Sequence, residues 1–181
     1  FKAYGEGNKA YSDNPITHFA ERQLPFPPEL MGYQPRLKYC SKAEYLNDSF
    51  RVTDMPRVFL EAKVAHICPI DFISHKILPS VLKAGMIQAL TMRACTCYMD
   101  LIFWEEIRGL ISDLTAFAMT EIQALKLFQG RSVDLWEIAE HLAGYGPEAV
   151  LVQTGDGSTR LYDRTSHKRW IIPAYRARIS D

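Results

Sequence analysis

The chain has 181 residues, 48% of them hydrophobic, and its 21 Lys+Arg are balanced by 21 Asp+Glu. That length supports one sizeable core rather than several domains, and the zero net charge excludes both a global basic field for nucleic acid and an acidic tail for a charged partner. No apolar run is long enough to cross a bilayer and no charged-then-apolar leader opens the chain, so no membrane partner is expected. The four cysteines, Cys40, Cys68, Cys95 and Cys97, lack paired CxxC spacing and read as reduced thiols of a cytoplasmic protein, not as a disulfide frame or a zinc site.

Residues 1–56 are polar, aromatic and Pro-rich, as in "DNPITHFAERQLPFPPELMGYQPR". This segment predicts short strands and loops, either a covering flap whose strands could form a dimer surface or a peripheral arm without function. From Arg57 the pattern changes to alternating strands and helices. "KVAHICPI" predicts a short buried strand, and "FISHKILPSVLKAG" a helix closed by Gly85 as its C-terminal glycine. "MIQALTM" reads as a strand and "DLIFWEEIRGLIS" as a helix that buries Leu101, Trp104, Ile107, Leu110 and Ile111. "LTAFAM" is the next strand and "TEIQALKLFQG" a short helix. "VDLWEIAEHLAGYG" carries a buried stripe of Leu135, Ile138, Ala139 and Leu142, with Asp134 and Glu137 placed as a capping box. "EAVLVQT" is a final strand before a Gly-containing turn. Such alternation requires crossovers, which predicts an α/β fold: a mostly parallel, Rossmann-like sheet flanked by helices, residues 57–181, with residues 1–56 as a small β-rich flap or lid.

Ligands of open parallel sheets sit outside the carboxyl ends of the strands. Two segments fall there. In "AVLVQTGDGSTRLYD" the Asp156-Gly157 pair signals a type I′ hairpin, and its glycines also leave backbone N–H groups open to an anion. In Thr120-Glu121-Ile122-Gln123 the spacing is that of a capping box, and the same geometry could hold an anion with its metal counter-ion. Neither the dinucleotide nor the P-loop glycine pattern is present. Among the histidines, His66 lies between apolar strand residues and reads as a hydrogen-bonded core residue, while His141 reads as solvated. No Ser-His-Asp or paired-carboxylate arrangement stands out.

The run from "AHICPIDFISHKILPSVLKAG" through "TAFAMTEIQALKLFQG" and "DLWEIAEHLAGYGPEAVLVQTGDGSTRLYD" to "KRWIIPAYRARISD" resembles the ribokinase-like (PfkB) family of carbohydrate kinases over roughly residues 57–181. The resemblance implies ATP-dependent phosphorylation of a sugar or nucleoside hydroxyl with Mg2+, the small-molecule substrate and ATP being the expected ligands. It places Gly155 on the glycine of the nucleotide loop, with Gln153 where a Thr is usual, Ser158 at the loop's second glycine, and Gly157 able to serve by a one-residue shift. Thr120 and Gln123 fall on an Asn-x-x-Glu motif whose Glu helps order the metal-bound water; Gln123 lacks that charge, and Arg93 stands where relatives often carry Asp. Asp181 matches the first residue of the Asp-Thr/Pro-Thr-Gly-Ala-Gly-Asp signature, a position associated with a monovalent cation such as K+. The catalytic base and the Gly-Ala-Gly anion hole of that signature would then lie past Asp181, so the chain reads as an internal fragment that is inactive alone. The alternative is a non-catalytic nucleotide- or ligand-binding relative, a pseudo-kinase or regulatory protein, to which the Gln123 and Arg93 departures point.

Overall fold

The computed structural model describes residues 49–174 continuously and, before them, residues 2–5, 8–11, 19–20, 23–26, 28 and 42. The chain divides into two compact units, Phe1–Tyr39 and Cys40–Asp181. In the first, β1 (Lys2–Gly5) pairs antiparallel with β2 (Asn8–Tyr11), and the rings of Phe19 and Phe26 meet edge-on with centroids 5.6 Å apart.

The second unit carries β3 (Val64–Ile67), α1 (Phe72–Lys83), β4 (Ala89–Arg93), α2 (Trp104–Ile111), β5 (Ala116–Thr120), α3 (Glu121–Leu127), α4 (Leu135–Ala143), β6 (Ala149–Gln153), β7 (Thr159–Asp163) and β8 (Lys168–Ile172). These strands form one 6-stranded sheet in sequential order β3-β4-β5-β6-β7-β8. Strands β3 to β6 are parallel; β7 and β8 extend the sheet antiparallel, through short connections. The fold is therefore α/β with a mostly parallel sheet flanked by helices, as the alternation of patterns predicts.

Strand order dictates where the core lies. When parallel strands follow one another in a single direction, right-handed crossovers place every connecting helix on the same face. Burial agrees: Met92, Phe117, Val150 and Val152 are fully buried on that face, against Ile107, Ile111, Ile138 and Leu142 of the helices, all at 0% exposure. The register places the intervening residues on the other face, where Val64 and Trp170 are 65% and 52% exposed and Ala116, Ala118, Leu151 and Leu161 are half-buried. Parallel sheets are ordinarily covered on both faces, and the described helices cover one.

Local signals decide where each helix starts. Asp71 accepts the Ser74 amide at 3.0 Å to open α1, and Thr120 and Gln123 close a full capping box at α3, with the Thr120 amide donating to Gln123 Oε1 at 2.9 Å and the Gln123 amide to Thr120 Oγ1 at 3.3 Å. At α4 the predicted box does not close. Asp134 caps by accepting the Trp136 amide at 2.8 Å, but the Ser132 hydroxyl accepts the Asp134 amide and donates to Glu137, so Ser132 replaces the reciprocal bond. The α4 stripe of Leu135, Ile138, Ala139 and Leu142 is buried as expected.

Three further expectations, on Leu101, His66 and Cys97, are corrected. α1 ends as predicted, with Gly85 directly after the C-cap Ala84, though without a positive φ. Gly85 admits a neighbouring backbone, since a Cβ there would lie 2.4 Å from the Leu60 carbonyl oxygen. Leu101 falls in a 3-10 turn, Leu101–Phe103, whose tighter winding turns it to 41% exposure and buries Phe103 instead. His66 bonds Thr91 Oγ1 at 2.8 Å but is exposed, because its strand position faces away from the helices. Cys97 is disulfide-bonded, whereas Cys68 is outside any disulfide; a spatial neighbour, not sequence spacing, decides that bond.

Among the described histidines the buried one is His75, at 0% exposure on α1. Its Nε2 accepts the Ile70 amide at 3.2 Å and lies 2.9 Å from the Cys68 carbonyl, and its Nδ1 lies 2.7 Å from Tyr98 Oη, so both ring nitrogens are engaged inside the core. Burial lowers the His75 pKa below the ordinary value, the Cys68 carbonyl and the Asp71 charge opposing the shift, and burial likewise raises that of Tyr98.

Candidate functional site

The carboxyl ends of β4, β5 and β6 bring three stretches together. Thr120 and Gln153 sit opposite each other in the β5–β6 register. Arg93, at the end of β4, reaches across with Nη2 to donate to Gln153 Oε1 at 3.1 Å. Gln123 reaches back into the sheet edge: its Nε2 donates to Thr96 Oγ1 at 2.9 Å and to the Ala94 carbonyl at 3.4 Å, while its Oε1 holds the Thr120 amide. At 7% exposure, with both ends of its amide engaged, Gln123 is a buried brace between α3 and the loop after β4.

The turn between β6 and β7 is built by its own side chains. The Gly157 amide donates to the Thr154 carbonyl at 3.0 Å, the Thr154 amide to the Ser158 carbonyl at 2.9 Å, and Gly157 alone in the turn adopts a positive φ, 82°. A type I′ turn would need positive φ at Asp156 as well; the observed pattern is that of a three-residue loop whose last residue is left-handed, which requires the glycine. The Asp156 carboxylate accepts from the Ser158 amide at 2.9 Å and from the Thr154 hydroxyl at 2.6 Å. These hydrogen bonds, the Thr154 hydroxyl foremost, lower the Asp156 pKa to about 2. Asp156 therefore stays anionic and serves the turn.

Gly155 differs from its neighbours. It is exposed, an added Cβ would meet only the Glu121 carboxylate, at 3.9 Å, and its amide donates to Glu121 Oε2 at 3.1 Å. This bond ties the turn to the first residue of α3. A cavity of about 420 Å³ opens beside it, lined by Glu121, Thr154, Gly155, Ser158, Arg160 and Ile171 among others. Arg160 comes from β7 on the helix-covered face, with its guanidinium 5.6 Å from the Trp136 ring.

The structure thus gathers Thr120, Gln123, Gln153, Gly155, Gly157 and Ser158 at one end of the sheet. Gly155 and Ser158 line the cavity; Gly157 shapes the turn, Gln153 pairs with Arg93, and Thr120 and Gln123 form the cap of α3. Asp181 lies outside the described residues, as does most of the predicted lid. Sequence reasoning missed Glu121 and Arg160. Glu121 lies within the motif singled out, but its contact with Gly155 joins positions 34 apart; Arg160 follows the turn on a strand whose inward face no local pattern specifies.

No family model matches the chain, and no curated protein matches it by sequence. Solved structures do. A ribokinase from Giardia lamblia superposes with a TM-score of 0.54 at 18% identity, over 72% of this chain and 42% of that one. A pyrophosphate-dependent kinase in the ribokinase family, complexed with a pyrophosphate analog and myo-inositol, gives 0.53 at 16% identity, covering 70% and 46%. An adenosine kinase from Anopheles gambiae gives 0.52 at 15% identity, covering 67% and 40%. The likeness is one of fold, and this chain spans less than half the length of those structures. The protein has a ribokinase-like α/β fold of the kind used by these sugar and nucleoside kinases.

Proposed function

We propose that the protein is a phosphotransferase of the ribokinase-like kind, moving a phosphoryl group from ATP to a hydroxyl of a sugar or nucleoside. The observation that carries this reading is the exposed Gly155 amide at the carboxyl end of the parallel sheet, beside a cavity that also presents Arg160. A backbone N–H without a Cβ to shield it and a guanidinium are the groups that recognise phosphate oxygens. The role of this chain is then to bind and orient the donor phosphates, with Ser158 at the cavity wall as a further hydrogen-bonding group. Residues 1–56 are assigned to the substrate lid and to a homodimer contact, and the cytoplasm to the site of action.

The fit to the cofactors differs between them. The phosphate of ATP suits the amide and the cation. For Mg2+, the described residues present no group of three or more His, Cys, Asp or Glu that could hold it, and Gln123 is engaged internally, so Mg2+ enters this reading as the counter-ion of the phosphates. K+ at Asp181 rests on the resemblance alone.

Calorimetric titration with ATP tests the assignment. Gly155→Val should weaken binding about tenfold, the value of a hydrogen bond to a charged group, with the melting temperature retained; unchanged affinity would contradict the placement. ATP consumption over a panel of sugars and nucleosides, measured on the full-length gene product, tests the reaction. Gln123 favours a second reading, a non-catalytic nucleotide-binding relative, because its amide braces the fold where a carboxylate would serve the metal. ATP binding without turnover on any acceptor would select that reading.

A further inference from the structure

The Gly155 amide is already occupied. Glu121 Oε2 accepts it at 3.1 Å, and among the described residues no Lys or Arg forms an ion pair with Glu121. An anion that approaches the same amide would meet a carboxylate at hydrogen-bond distance, an arrangement that like charges disfavour strongly in a partly enclosed site. The other carboxylate of the rim, Asp156, is turned into the loop by Thr154 and Ser158 and cannot leave without undoing the turn. Glu121 has no such tie. Among the described residues its one hydrogen bond is to Gly155, so displacing it costs a single contact there and leaves the capping box of Thr120 and Gln123 intact. On the same cavity Arg160 forms no ion pair among the described residues, and its guanidinium lies 5.6 Å from the centre of the Trp136 ring.

We infer that Glu121 is a charge gate on the Gly155 amide and that Arg160 is the cation that draws a phosphoryl anion past it. The inference rests on the phosphate-binding reading of the cavity and adds its regulation. In the closed state the carboxylate satisfies the amide and repels an approaching anion. A polyanion held by Arg160 takes the amide over and turns Glu121 outward to water.

Inorganic pyrophosphate is the probe, titrated calorimetrically into the intact chain while the Gly155 amide is followed in 15N-correlated spectra. Glu121→Gln keeps an acceptor oxygen and removes the charge; it should bind pyrophosphate about tenfold more tightly than the native chain, and Glu121→Ala, the control against a folding defect in the first variant, should tighten binding as well. Arg160→Gln should weaken binding about tenfold, with Arg160→Lys recovering part of the loss. If the Gly155 amide responds to pyrophosphate but neither Glu121 variant binds more tightly, the gate is overturned and the anion site stands. If no protein of the series shows a pyrophosphate response at Gly155, gate and anion site fall together.

Discussion

At the scale of single residues, the sharpest consequence concerns His75. Its imidazole is buried, with Nε2 accepting the Ile70 amide beside the Cys68 carbonyl and Nδ1 bonded to Tyr98, an arrangement that uses the neutral ring. Burial lowers its folded pKa below that of the unfolded chain. Below about pH 6.5 the unfolded state takes up a proton that the folded state refuses, so stability falls as the pH drops through the unfolded value and levels off beneath the lowered folded one. The slope contributed by one such group is at most ~1.4 kcal/mol per pH unit. Urea unfolding from pH 7.5 to 5 should show this decline, and His75→Gln, though less stable at neutral pH, should show a shallower one. Equal slopes in the two proteins would remove His75 as the source. The sequence pointed to His66, which lies between apolar strand residues but faces away from the helices and is exposed, whereas His75, between Ser74 and Lys76, is buried by the packing of α1.

At the scale of elements, the capping box of α3 connects local sequence to the site. Thr120 and Gln123 were legible as a box from spacing alone, because the box depends on four consecutive residues. The further reach of the Gln123 amide to Ala94 and Thr96 was not, since those partners come from the loop after β4. This second set of bonds explains a preference for Gln over Glu. A carboxylate at 123 would face the Ala94 carbonyl, acceptor against acceptor, in a buried position. Gln123→Glu should therefore lower stability by ~1–3 kcal/mol, read as a drop in melting temperature. A variant as stable as the native chain would show that the amide donor is dispensable. The contrast with α4 is instructive: Asp134 and Glu137 have the right spacing, and Ser132, two residues ahead of the cap, takes up both partners.

At the scale of the whole molecule, the sheet is asymmetric. Sequential strand order puts the described helices on one face, where Phe117 is fully buried, and leaves Trp170 half exposed on the other. The two aromatic residues should thus differ in weight. Phe117→Ala should cost ~3–5 kcal/mol, whereas Trp170→Thr should fall within about 1 kcal/mol of the native chain, both measured by urea unfolding. A large loss at Trp170 would mean that its face is covered in solution. The half-buried alanines of that face, Ala116, Ala118 and Ala149, are small residues in the middle of a parallel sheet, where a second layer could approach closely.

The sequence by itself determined the element types and their order, because hydrophobic period, caps and breakers act over a few residues: the α4 stripe, the α3 box and the β6 strand are all readable in this way. It also supplied the strand-helix order that resembles the ribokinase-like kinases, and solved structures with that fold superpose on the chain. What only the tertiary structure decided are the relations between distant positions. Glu121 meets Gly155 because adjacent parallel strands β5 and β6 end side by side; Arg93 meets Gln153 across β5; and right-handed crossovers, not the alternation within any strand, chose which face became the core. The glycine turn was visible as a turn from its residues alone. That its amide already holds a carboxylate depends on two strands brought into register, which no local pattern encodes.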